Sequence, residues 1–134
     1  MKKYILILGI TTFLVSCSSE NIRPSETSEF LGKWKLTEVL IDPGDGSGTY
    51  QPVTGNRIIE FLTNGNISSN YSLCPFYTGT ATQFTTPYYA DQNYILPKAC
   101  FGEGSNIGYQ RDNDNLILSY PCYEGCLYKF IRTE

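Results

Sequence analysis

Five cysteines, at positions 17, 74, 100, 122 and 126, are the residues of this 134-residue chain best equipped for chemistry. A thiolate can attack an acyl donor, hold a soft metal or pair as a disulfide, and its surroundings decide which. No Cys-x-x-Cys pair is present, so four cysteines on a zinc ion are the lesser reading, and neither a metal nor another cofactor is expected. The sequence contains no histidine. That removes the usual general base, the Ser/His/Asp and Cys/His nucleophile systems and the commonest metal ligand together. Carboxylates remain, but no spacing argues for Glu103 and Glu124 as a catalytic pair. Asp42, Asp45, Asp112 and Asp114 stand in Gly- and Asn-rich turns without the closing glutamate of a calcium loop. The glycines of 44–49 lack the lysine of a phosphate loop. No catalytic residue is assigned, and an enzyme is not expected. Ten basic against thirteen acidic side chains give a charge of −3 with no basic cluster, which argues against nucleic acid as a partner.

Cys17 stands apart from the other four. It follows Met1-Lys2-Lys3 and an apolar run over 4–15, a pattern that reads as a signal peptide over 1–16. The end of the run, Leu14-Val15-Ser16-Cys17, resembles a bacterial lipobox, which makes Cys17 the lipidation site. Two or three acyl chains, at about 0.8 kcal/mol per buried methylene, hold a protein at a membrane where one chain does not. The expected partner is therefore a membrane, engaged through an N-terminal lipid. Ser18 follows the lipidated position where an aspartate would signal inner-membrane retention, so the expected address is the outer membrane of a bacterial cell envelope, with its periplasmic and surface faces both open. Cleavage before Cys17 removes two lysines and no acid, taking the charge from −3 to −5. Residues 17–29 are polar apart from Ile22 and read as a tether, about 35 Å long over 18–28 if extended. The folded domain is expected over 30–134.

That domain shows no sustained apolar period of 3.6. Short alternating runs bounded by Gly, Asn, Asp and Pro predict an all-β domain with strands over 33–41, 57–62, 66–73, 77–84, 94–96, 106–111, 116–120 and 126–132. Asn64-Gly65 and Asn113-Asp114 supply hairpin turns. Eight antiparallel strands in chain order predict a small closed up-and-down β-barrel, because closure removes exposed edges; a two-sheet sandwich is the alternative. Alternation places Trp34, Leu36, Glu38 and Leu40 on one inward face of the first strand. It also places Tyr71, Tyr109, Tyr120 and Tyr128 inside, and buried phenol hydroxyls need partners that a ligand or water can supply.

Leu31-Gly32-Lys33-Trp34, ahead of the first strand, resembles the Gly-x-Trp signature of lipocalins. The 42–50 loop and the stretch 116–130 are likewise similar to small lipocalin-like lipoproteins of diderm bacteria. The resemblance implies a barrel closed at its Trp34 end by Arg132, whose guanidinium stacks over the indole. Strand counting agrees, since the first strand begins and the eighth ends at the same end of the barrel.

The same count brings Cys74, Cys100, Cys122 and Cys126 to the opposite end. In an oxidising envelope they should form two disulfides, with Cys74–Cys100 and Cys122–Cys126 favoured among three connectivities. Two functions are carried forward. One is a carrier of a small apolar or amphipathic ligand oriented by Glu38, Tyr71, Tyr109, Tyr120 and Tyr128. The other is a filled barrel acting as a structural module that contacts an envelope protein.

Overall fold

A computed structural model describes residues 29–74, 83–97, 106–122 and 124–133. Nine strands form one antiparallel sheet: β1 (Gly32–Ile41), β2 (Gln51–Pro52), β3 (Ile58–Phe61), β4 (Asn66–Ser69), β5 (Phe84–Tyr89), β6 (Tyr94–Ile95), β7 (Ile107–Asp112), β8 (Asn115–Tyr120) and β9 (Cys126–Thr133). Each strand from β3 onward pairs with the next, β1 pairs with β3, and β9 returns to pair with β1 over Lys33–Ile41. Eight strands are thus closed into an up-and-down barrel, and the sandwich alternative falls. The two-residue β2 is an addition, lying beside Glu38 and Val39 where β3 no longer flanks β1.

The turns form where residues tolerate left-handed backbone. Gly65, at φ +79°, closes the β3–β4 hairpin, and Asn113, at φ +56°, closes β7–β8 between the paired Asp112 and Asn115. β1 runs from the end of the barrel that holds these turns, termed the base, to the opposite end, termed the mouth.

Three expectations need correction. The fourth strand of the barrel is Phe84–Tyr89; of the predicted 77–84, residues 77–82 lie outside those described. Pro87 sits inside this strand at little cost, because it lies beyond the last β5–β6 ladder pair and its carbonyl still accepts from Leu96 N–H. In β6, where alternation puts Tyr94 and Leu96 inward, the face is reversed: Ile95 is buried, while Tyr94 stacks on Tyr89 at a centroid distance of 4.7 Å. A two-residue strand has too few positions for alternation to declare its phase. The third correction concerns β1. Its pairing with β9 advances from Leu36↔Phe130 to Glu38↔Lys129, which leaves Thr37 as a one-residue bulge. Val39 then packs against the core in place of Leu40.

The core runs the length of the barrel. Trp34, Leu36, Ile59, Phe61, Ile67, Leu73, Ile95, Ile107, Leu116, Leu118 and Phe130 are almost fully buried.

Candidate functional site at the barrel mouth

The base is closed by stacking and by backbone acceptors. Trp34 is fully buried, and its Nε1 donates to Phe30 O at 2.7 Å. The Arg132 guanidinium lies over the indole at 4.4 Å and that of Arg111 at 5.3 Å. Such contacts contribute about 0.5–2 kcal/mol each. Arg132 also donates to the carbonyls of Leu31, at 2.7 Å, and Glu29, while Arg111 donates to Glu29 O at 3.2 Å. The turn that leads into β1 is therefore drawn across the base as a floor. Gly32, at φ +108°, makes the bend from that floor into the strand.

Above the floor, aromatic rings fill the bore. Phe61 lies 5.9 Å from Phe30, 5.1 Å from Tyr88 and 5.2 Å from Tyr109, and the Phe30–Tyr109 distance is 4.9 Å. The Tyr109 hydroxyl donates to Tyr89 O at 3.3 Å and that of Tyr88 to Leu62 O at 3.1 Å. Tyr109 thus belongs to the base cluster and not to the mouth. Phe30 and Arg111 were not singled out in the sequence, because one precedes the first strand and the other reads as an ordinary solvated charge.

At the mouth, Tyr71, Tyr120 and Tyr128 come together. The rings of Tyr120 and Tyr128 have centroids 4.3 Å apart. The hydroxyls of Tyr71 and Tyr120 lie close enough to bias each other's ionisation, and among the described residues Tyr71 Oη is buried and makes no well-formed hydrogen bond. Burial is the first cause that pushes all three phenols above their ordinary range, with the Arg57 guanidinium acting weakly against it. They are therefore neutral donors at any physiological pH.

Arg57 completes the group and was missed in the sequence, where it read only as the start of a strand. Its parity with Ile59 and Phe61 was the available signal. Its Cζ lies 5.8 Å from the Tyr71 ring centroid, and the residue is exposed, so water can meet its guanidinium donors. Asn70 holds the two residues in place. Its Nδ2 donates to Asn56 O at 2.7 Å, its Oδ1 accepts from Ile58 N–H at 2.8 Å, and its own N–H donates to Ile58 O at 3.1 Å. Ser69 Oγ donates to Tyr71 O.

Glu38 does not join them. The Thr37 bulge turns it to the outer wall, where it pairs with Lys129, and the hydrogen bond to Glu38 raises the Lys129 ammonium above its usual range. Lys129 Nζ also sits 4.1 Å from the Tyr50 ring centroid.

The rim is pinned beside the phenols. Cys122 and Cys126 form a disulfide with a Cα–Cα distance of 6.1 Å. Cys74 is also disulfide-bonded, whereas Cys17 and Cys100 lie outside the described residues. In the 42–50 loop, Asp42 Oδ1 accepts from the N–H groups of Gly44, at 2.7 Å, and Gly46, at 3.1 Å, and Oδ2 from that of Gly48 at 2.9 Å. These bonds hold its carboxyl below the usual range. Asp42 N–H donates to Gly125 O at 3.2 Å, joining this loop to the disulfide hairpin. Among the described residues no three His, Cys, Asp or Glu side chains converge to hold a metal. An open groove of about 420 Å³ lies on the outer wall, lined by Lys33, Ile58, Glu60, Ser68, Asn70 and Gln83, and so is separate from the bore.

No protein-family model matches the chain, and no curated protein shows significant similarity to it. Among the described residues, two buried side-chain hydroxyls lack a hydrogen-bond partner: Tyr71 Oη at the mouth and Thr133 Oγ1 at the base.

Proposed function

We propose that the protein is a lipocalin-like lipoprotein of the bacterial envelope, anchored at the outer membrane through lipidated Cys17, and that its barrel binds a small ligand at the mouth without transforming it. The observation that carries the binding reading is Tyr71 Oη, a buried hydroxyl that makes no well-formed hydrogen bond among the described residues. Leaving such a group unsatisfied costs about 1–3 kcal/mol, and a ligand acceptor would recover it. The aromatic packing at the base supports a short ligand seated near Tyr71, Tyr120 and Tyr128 in preference to a long chain threaded down the bore.

Native mass spectrometry of protein purified from its own envelope tests the binding. A co-purified small molecule in stoichiometric amount is expected, and Tyr71→Phe should release it. A barrel that purifies empty and takes up no small probe would remove the binding reading. Anchoring is tested separately: Cys17→Ala should abolish acyl labelling and membrane fractionation, and full retention of that variant in the membrane would refute it.

The packed lower bore also supports the second reading, a structural module whose pinned rim contacts an envelope protein. Cross-linking in cells from the 42–50 loop to one stoichiometric partner, with an empty barrel, would favour that reading.

A further inference from the structure

We infer that the β3–β4 turn carries a site of spontaneous covalent modification, at which Asn64 deamidates to aspartate through attack of the Gly65 backbone nitrogen on its side-chain carbonyl. Water is the only other reactant.

The chemistry needs a carbonyl open to attack, a nucleophile that can reach it, and donors for the charge that develops on its oxygen. Asn64 is exposed, and the residue after it is glycine. Any other side chain at that position crowds the approach of its own backbone nitrogen, whereas glycine has none. A Cβ placed on Gly65 would meet nothing within 4 Å among the described residues, so no neighbouring element screens the turn. Asn64 Oδ1 accepts from Asn66 N–H at 3.1 Å and from Asn66 Nδ2 at 3.2 Å. The ring closed by the first of these bonds contains both Asn64 Cγ and the Gly65 nitrogen, which holds the reacting atoms on one side of the turn. Both donors also point at the oxygen that takes up negative charge during the attack, the arrangement that stabilises a tetrahedral intermediate. Gly65 N–H itself donates to Leu62 O at 3.3 Å, a long bond that holds the proton weakly.

Gly65 gives its N–H proton to solvent as its nitrogen bonds to Asn64 Cγ; the Cγ–Nδ2 bond then breaks, and ammonia leaves with a proton taken from water. Water adds at Cγ of the resulting succinimide, the bond to the Gly65 nitrogen reopens, and the peptide N–H is restored beside a new carboxylate. The pairings of the turn favour this product over the isoaspartyl one. Leu62 N–H donates to Asn66 O at 2.8 Å and Tyr88 N–H to Gly65 O at 3.0 Å, and an extra backbone carbon at position 64 would break that register. A carboxylate there keeps both Asn66 donors and strengthens their bonds. The 42–50 loop provides a contrast within the same chain. Asp45 precedes Gly46, and its Oδ1 accepts from Ser47 N–H at 2.9 Å in the same geometry. Its hydrogen bonds to Ser47 hold the Asp45 carboxyl below the usual range, and an ionised carboxylate resists nucleophilic attack.

The test holds the intact folded protein at neutral and at mildly alkaline pH and samples it by peptide mapping that separates asparagine, aspartate and isoaspartate. Trp34 emission reports whether the protein stays folded throughout. Asn64 should convert at least about tenfold faster than Asn56, Asn70, Asn93 or Asn113, none of which precedes a glycine. Aspartate should be the main product, and the rate should rise with pH as the Gly65 N–H is lost more often. Asn64→Gln, whose longer side chain closes a less favourable ring, should stay unmodified. Conversion of Asn64 in the urea-unfolded chain but not in the folded protein would overturn the inference, because the fold would then protect the turn. Conversion no faster than at the other asparagines, or a rate indifferent to pH, would overturn it as well. Isoaspartate as the main product of the folded protein, or an Asn64→Asp variant that melts well below wild type, would overturn the assignment of aspartate.

Discussion

A Cβ placed on Gly32 would stand 3.3 Å from Arg132 Nη1, the same atom that donates to Leu31 O and so fastens the barrel floor. Glycine is therefore required ahead of Trp34 for two reasons: the backbone there is at φ +108°, and the guanidinium that stacks on the indole passes directly over it. Gly32→Ala should destabilise by about 1–3 kcal/mol, with red-shifted Trp34 emission as the floor loosens. Lys33→Ala, one residue on and exposed, should stay within about 0.5 kcal/mol of wild type. Thermal melts that rank the two variants equally would contradict this account of the floor.

Asn70→Ala should cost about 1–2 kcal/mol, since it deletes one side-chain donor and one acceptor at an exposed position where water partly replaces them. Its larger effect should fall on the mouth. If the mouth binds a ligand, affinity should drop further than the stability change accounts for, because Arg57 and Tyr71 lose their shared support. Denaturant melts and titrations on the same samples separate the two effects.

Tyr71, Tyr120, Tyr128 and Tyr109 are all raised by burial in the folded protein. The unfolded chain releases phenol protons near pH 10, whereas the folded chain holds them to higher pH. Stability from this source is complete below pH 10 and falls as pH rises through the alkaline range. Titration of tyrosinate absorbance should show a group of phenols that ionises only together with unfolding. Smooth, independent ionisation of every tyrosine would show that the buried phenols are not sealed.

Replacing Cys122 and Cys126 together by alanine should cost about 2 kcal/mol through the loop closed between them, with the barrel still formed. Because Asp42 N–H bonds to Gly125 O inside that loop, the 42–50 segment should gain amide exchange as well. Exchange confined to 122–126 would show that the two rim segments are not coupled.

Deleting Thr37 should leave the barrel intact. The bulge is the only extra residue in the β1–β9 pairing, so its removal joins Leu36 and Glu38 in regular alternation and keeps Val39 inside. The loss should be limited to two hydrogen bonds, from Thr37 Oγ1 to Lys129 O and from Val53 N–H to Thr37 O, about 1–3 kcal/mol together. A collapsed core in that variant would contradict the register.

Much of this barrel was legible in the sequence because most strands satisfy two local conditions at once: alternating burial and a turn residue at the end. The predicted strands over 33–41, 106–111, 116–120 and 126–132 lie within a residue or two of β1, β7, β8 and β9. Those over 57–62 and 66–73 contain β3 and β4, the second overrunning its strand by four residues. The physical reason for the rest is equally local. The stretch 85–93, with two vicinal Tyr and a Pro, left a further short strand open without deciding it, because proline is tolerated in Phe84–Tyr89 only through the short reach of β6. One inserted residue at Thr37 changes the face of everything after it in β1, and no residue type announces it. The mouth was half legible: Tyr71, Tyr120 and Tyr128 fell on inward positions, but Arg57 precedes the first residue of β3, where alternation is seldom counted. Glu38 was assigned inward by the same counting that the bulge defeats.

The double grip of Arg111 and Arg132 on the Glu29 carbonyl has a mechanical meaning. Tension on the chain ahead of residue 29 meets those two side chains first and passes into the central β1–β9 seam as shear, loading a long row of strand pairs at once. The far rim lies outside this load path. A barrel held in this way can be tugged by its leading segment without being pried open at its mouth.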